Sequence, residues 1–137
     1  MRRKILSKKE IKLDRKTFKF KNNDLFLTIT QYANNNRLAI LCETENELYC
    51  DLTINLSNTF PLDKNEAHIS DIAKTCGLEK ALLDAGIIKE VICEEKYNYG
   101  TYDFVSFDMK KLKEYDPVGL DNYYKSFNYE PHYIPKI

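Results

Sequence analysis

Apolar and polar residues alternate with period two through most of the first half of the chain, then recur every three or four residues in parts of the second half. TFKFK at 17–21 sets Phe18 and Phe20 against Thr17, Lys19 and Lys21, the pattern of an edge strand whose lysines face water. Asn22, Asn23 and Asp24 supply turn chemistry, and in DLFLTITQY Leu25, Leu27 and Ile29 alternate with Phe26, Thr28 and Thr30. A second turn at Asn34 to Asn36 leads into RLAILCE, a short apolar run of strand length. After TENE comes the clearest alternation in the chain, with Leu48, Cys50, Leu52, Ile54 and Leu56 on one side and Tyr49, Asp51, Thr53 and Asn55 on the other. One face inside and one face wet describes an antiparallel sheet better than a parallel one.

The segment SNTFPLDKNEAHIS reads as a loop ending at Ser70, an N-cap for a short helix over 71–76 that Gly77 stops. Leu78, Ala81, Leu82 and Ala85 recur at helical spacing up to Gly86. IIKEVICEEKY is strand-like but poorly alternating, Asn98 to Gly100 make a turn, and TYDFVSF returns as a strand with apolar residues on both faces. Asp108 caps a helix MKKLKEY that ends before Pro117, and Leu120, Tyr123, Tyr124 and Phe127 mark a further amphipathic helix. These elements predict an α+β fold: an antiparallel sheet of five to seven strands with three or four short helices, mostly in the C-terminal half.

At 137 residues the chain fits one such domain, expected over 17–127, with a basic arm at 1–16 and an extended tail containing Pro131 and Pro135 at 128–137. No apolar run approaches the roughly 18 residues needed to span a bilayer, so a cytoplasmic protein without a membrane partner is expected. Cys42, Cys50, Cys76 and Cys93 lack the C-x-x-C spacing of zinc or thioredoxin-like sites and read as reduced, mostly buried small hydrophobes. Cys42 and Cys50 flank a hairpin turn and are placed to lie opposite each other.

The net charge of zero hides an asymmetry. Residues 1–21 carry ten Lys or Arg against Glu10 and Asp14, a balance of +8, while the rest of the chain holds eleven basic and nineteen acidic residues. Arg2, Arg3, Lys4, Lys8, Lys9, Lys12, Arg15 and Lys16 are the candidates for phosphate contact with RNA or DNA, a contact that would weaken steeply with salt. Acidic residues gather at Glu43, Glu45, Glu47 and Asp51 around the hairpin turn, a surface able to imitate a phosphate backbone or to engage a basic groove. The blander reading of both features is a solubilising tail and a solvated hairpin tip.

Catalytic candidates are few. His68 stands in the loop segment near Glu66 and Asp71 without a second histidine close by, and reads as a partly exposed loop residue. The glycines at 77, 86, 100 and 119 are isolated, so no phosphate cradle is formed. No cofactor or metal is implied, and an enzyme is not expected. In YNYGTYDFVSFD the strand explains Tyr102, Phe104 and Phe107, leaving Tyr97 and Tyr99 beside the turn as contact candidates.

The run from LTITQY to DLTINL, the NEA stretch at Asn65, Glu66 and Ala67, and the YDP-x-G turn at Tyr115, Asp116, Pro117 and Gly119 carry a resemblance. Over about residues 25–124 the chain resembles an uncharacterised family of small proteins carried on phages and conjugative elements of Gram-positive bacteria. The resemblance implies no catalytic residue. It implies a setting in which small non-enzymatic proteins bind and inhibit a host defence nucleoprotein of the CRISPR or restriction type, here with Glu43, Glu45, Glu47, Asp51, Tyr97 and Tyr99 as partner contacts. The alternative is a nucleic-acid-binding accessory protein of conjugation or replication that uses the basic arm. An exposed strand edge would permit a homodimer in either case.

Overall fold

The computed structural model describes residues 14–56 and 59–128; most of the basic arm, including Arg2, Arg3, Lys4, Lys8, Lys9 and Lys12, and the tail from residue 129 lie outside them. The described chain is α+β, with two antiparallel four-stranded sheets and four helices. β1 (Phe18–Phe20), β2 (Asn23–Gln31), β3 (Leu38–Glu43) and β4 (Leu48–Asp51) form the first sheet in chain order, as successive hairpins do. The second sheet runs β5 (Thr53–Ile54), β6 (Glu66–Ile69), β8 (Gly100–Phe107), β7 (Ile88–Tyr97).

The expected single sheet is therefore two, and the division falls inside the best-patterned strand. Leu48 to Asp51 pair with β3, whereas Thr53 and Ile54 pair with β6 at Ile69 and His68. At the break, Leu52 N–H still donates to Ile40 O (2.9 Å), but Ile40 N–H turns to the Thr53 hydroxyl (3.1 Å). A side-chain oxygen thus takes the place of a ladder carbonyl, and the strand leaves one sheet for the other. The alternation breaks there: Leu52 and Thr53 are both buried, and Ile54 turns to the outer face with His68. One core joins Leu25, Leu27 and Ile29 of β2 to Leu52, Ile69, Val105 and Phe107.

The segment expected to be a loop contains β6, which sits inside the second sheet between β5 and β8. Four residues, EAHI, are too few for periodicity to separate a strand from a turn. β7 alternates poorly for a visible reason: its register against β8 shifts at Ile88/Glu90 and again at Val91/Cys93. Each bulge flips the in/out order, and bulges on an edge strand also discourage pairing with another edge.

Helix ends follow the local chemistry closely. Ser70 Oγ accepts from Ala73 N–H at the start of α1 (Asp71–Thr75) and donates to Asp51 O (2.6 Å), tying that helix to the strand switch. Gly77 adopts φ 94° between α1 and α2 (Leu78–Asp84), a conformation costly for a residue with a Cβ. Asp108 caps α3 (Met109–Tyr115) through Lys110 and Lys111 N–H. Pro117 does not merely end α3; it is the first residue of α4 (Pro117–Asn128), where a missing N–H is harmless.

The α3–α4 corner is clasped to β2 by Asp116. One carboxylate oxygen accepts from Gly119 N–H (3.0 Å), capping α4, and the other accepts from Ile29 N–H (2.9 Å). Gly119 lies so near that a Cβ built there would stand 2.6 Å from Ile29 O and overlap the Asp116 carboxylate. The YDP-x-G sequence is thus a docking corner, with glycine required by close approach.

Candidate partner-binding surfaces

Arg15 and Lys16, at the root of the basic arm, are engaged with the body. The Arg15 guanidinium donates to Tyr115 O (3.0 Å), Leu27 O (2.8 Å) and the Thr28 hydroxyl (3.3 Å), and lies 5.4 Å from the Phe26 ring centroid. Its side chain is 15% exposed, which removes it from the set of free cations. Lys16 pairs with Glu114 at 2.8 Å and lies over the Tyr115 ring, but remains half exposed. Sequence counting treats both as arm charges because their partners lie far away in the chain.

The acidic hairpin between β3 and β4 divides in a similar way. Glu43 accepts a hydrogen bond from Thr28 (2.7 Å) on the outer face of the first sheet. Glu45 and Glu47 are exposed at the tip beside Leu48, which is 54% exposed, and Asp51 is exposed further along β4. Among the described residues, the carboxylates of Glu45, Glu47 and Asp51 have no ion-pair or hydrogen-bond partner. Below the tip, Cys42 and Cys50 face each other in register as free, buried thiols. Cys42 is pushed well above the ordinary thiol range, first by its hydrogen bond with Cys50 and then by burial, while the same bond draws Cys50 down against its own burial.

His68 is a correction. It is a strand residue 1% exposed, not a loop residue, and its Nε2 lies 2.6 Å from Glu95 Oε1 across the outer face of the second sheet. Phe104 stacks at 5.1 Å from its ring, and Phe60 closes over both. Arg37 holds Phe60 there by donating to Leu56 O and Phe60 O. A histidine against a carboxylate has the geometry of a general base, but this one is sealed beneath two phenyl rings.

On the opposite face of that sheet lies a second buried polar group that the sequence did not disclose. Glu79 and Asp103 are both nearly buried, and Lys74 bridges Asp103 at 3.1 Å and Glu94 at 3.5 Å. Burial, then the hydrogen bond to Asp103 and its charge, push the Glu79 carboxyl up to about 7, with Lys74 opposing. Four elements contribute these residues, α1, α2, β7 and β8, so no spacing in the chain could have found them.

Tyr97 and Tyr99 stand where the turn places them. Tyr97 pairs in register with Gly100, Asn98 takes φ 55°, and Tyr99 is fully exposed. The hairpin tip forms one wall of an open cleft of about 500 Å³. Tyr102 lines it with them, its ring tip lying over Gly100, where a Cβ would meet Tyr102 Cε2 at 2.9 Å. Ile54, Asn55 and Leu56 form the facing wall, and Asp71 of α1 adds a carboxylate. Asn55 is held by Asn34 and Asn35 from the β2–β3 turn (3.0 and 3.1 Å). His68 does not line the cleft.

A family model for a domain of unknown function, DUF4313, matches residues 26–127, from β2 through most of α4. The chain belongs to this family. The DUF4313 span takes in both sheets except β1, the acidic hairpin, the tyrosine cleft and the Asp116 corner, and leaves Arg15 and Lys16 outside. Comparisons with curated proteins and with solved structures found no match. Among the described residues no helix is long and apolar enough to cross a membrane.

Proposed function

We propose that the chain is a non-catalytic binding protein of a phage or mobile element that inhibits a host defence nucleoprotein, of the anti-CRISPR or anti-restriction type, by occupying a basic surface. The observation that carries this reading is the β3–β4 tip, where Glu45, Glu47 and Asp51 are exposed and unpaired among the described residues beside an exposed leucine. Carboxylates held on a rigid hairpin can take the place of phosphates in a basic groove, and a flanking apolar residue adds contact area.

Bacteria that restrict a phage by a CRISPR or restriction system are expected to plate it normally when they express the chain. The double variant E45K/E47K should lose that protection, since like charges across an interface repel. Glu43 is left unchanged because of its bond to Thr28. Loss of protection with normal folding supports the reading, and no protection against any system tested by plating discards it.

A second reading, an accessory protein of conjugation or replication that grips RNA or DNA, rests on the cations of residues 1–12. It predicts a mobility shift with single-stranded oligonucleotides that vanishes as salt rises. Removing residues 1–13 should abolish the shift. Arg15 must be kept, because its loss would loosen the body and confuse the result. A shift that survives the truncation sinks this reading.

A further inference from the structure

We propose that the tyrosine cleft at the β7–β8 tip is a docking site for an arginine side chain of a protein partner. This rests on the binding-protein reading above and names the chemistry of a contact separate from the acidic hairpin.

The cleft combines three features that favour a planar cation. Tyr97, Tyr99 and Tyr102 bring electron-rich ring faces to one opening, and a cation near such a face is attracted by the ring quadrupole. Asp71 supplies one negative charge, and Asn55, whose own amide oxygen accepts from Asn35, and Asn98 add polar side chains to the lining. Among the described residues, neither the three tyrosine hydroxyls nor the Asp71 carboxylate has a hydrogen-bond or ion-pair partner. Arginine suits this lining better than lysine because its guanidinium both stacks on an aromatic face and donates in a plane to a carboxylate.

Charge complementarity also disfavours a phosphate-bearing occupant. Among the described residues, no lysine or arginine lines the cleft. Lys96, the cation nearest along β7, pairs with Thr101, one rung from both Tyr97↔Gly100 and Glu95↔Tyr102, and so points from the other face of the sheet. Glu95 shares the tyrosines' face, two residues from Tyr97, with its carboxylate turned to His68 at 2.6 Å. A volume of about 500 Å³ is ample for one side chain with its flanking backbone. Because Tyr99 is fully exposed, its ring is free to close over an occupant.

The test is a titration of the full chain, followed by amide NMR, with a short capped peptide of alternating glycine and arginine. Matched peptides carrying lysine or glutamate and a thymidine oligonucleotide serve as comparison probes. Saturable shifts at Asn55, Asn98 and Gly100 are expected with the arginine peptide, weaker with lysine and absent with glutamate. Y99A and D71N, both at exposed positions, should each weaken binding about threefold to fivefold without changing the rest of the spectrum. G100A, which would displace the Tyr102 ring, should weaken it with no change in charge. E45K/E47K should leave the cleft titration as it is.

Shifts that map to Glu45 and Glu47 instead, and vanish in E45K/E47K, would overturn the cleft while leaving the binding-protein reading intact. Equal response to the glutamate peptide, oligonucleotide binding in the cleft, or no saturation at about millimolar peptide would also overturn it. Normal cleft binding together with failure of every plating assay would instead remove the defence reading and keep the site.

Discussion

Replacing Asp116 by alanine is expected to remove about 3–4 kcal/mol of folding stability, measured as the drop in unfolding free energy in urea. The carboxylate accepts from Ile29 N–H inside β2 and from Gly119 N–H in the first turn of α4, and it is 6% exposed. Truncation leaves both donors without that partner. A buried donor deprived of its acceptor costs about 1–3 kcal/mol, and loss of a helix cap about 1 kcal/mol. D116N should fall between, since its amide oxygen can satisfy only one of the two N–H groups. G119A should be comparably harmful through a different route, as its Cβ has to push α4 away from Ile29 O. Against the roughly 5–15 kcal/mol typical of a domain, either loss is a large share of the total stability. A loss below about 1 kcal/mol in D116A would mean that water replaces the carboxylate and that the corner is not the clasp described.

That corner also marks what the chain reveals about itself. Ser70, Gly77, Gly86 and Asp108 were readable as caps and stops because a cap is decided by atoms within four residues of it. The hairpins of the first sheet were readable for the same reason, each strand pairing with the next in sequence. Where the deciding partner was distant, the pattern misled. The alternation of Leu48 to Leu56 reported the inward faces of Cys50, Leu52 and Leu56, but it misplaced Leu48, which is exposed, and Thr53, which is buried because its Oγ replaces a ladder carbonyl for Ile40. His68 gave no sign of Glu95, 27 residues away, and Arg15 gave none of Tyr115, 100 residues away.

The candidate surfaces divide along the same line. Exposed residues near turns, Glu45, Glu47 and Tyr99, were found because exposure at a hairpin tip is a local property. Asp71, Asn55 and Ile54 join Tyr97 and Tyr99 only through β6 and the sheet switch, so the cleft exists in the fold and not in any stretch of sequence. YNYGTYDFVSFD is accordingly two surfaces: Phe104 is sealed under Phe60, while Tyr97, Tyr99 and Tyr102 open onto the cleft.

Folding stability is expected to fall as pH rises from about 4.5 to about 7, and E79Q should remove that part of the dependence. Glu79 sits at its ordinary value of 4.5 when unfolded and is pushed up to about 7 in the fold by burial and by Asp103. Between these values the folded state holds a proton that the unfolded state has released, so each step up in pH favours unfolding. The contribution is complete below 4.5 and lost above 7, and at about 1.36 kcal/mol per pH unit it reaches at most about 3 kcal/mol. Glutamine keeps the shape and can donate to Asp103 as the protonated acid does. At pH 4 the variant should therefore nearly match the parent chain, and at pH 8 it should be more stable by about 2–3 kcal/mol. K74M acts in the opposite sense. Without the ammonium that bridges Asp103 and Glu94, the carboxylate of Glu79 becomes still harder to form, and the fall with pH should extend further above 7 at the same slope. Urea unfolding of the three chains across pH 4 to 9 reads these slopes, the parent and E79Q differing in one titrating group alone and K74M adding the loss of the Lys74 pairs. Parallel curves for the parent and E79Q would show that Glu79 binds its proton alike in the folded and unfolded chain, and that its burial between α2 and β8 does not hold the proton described.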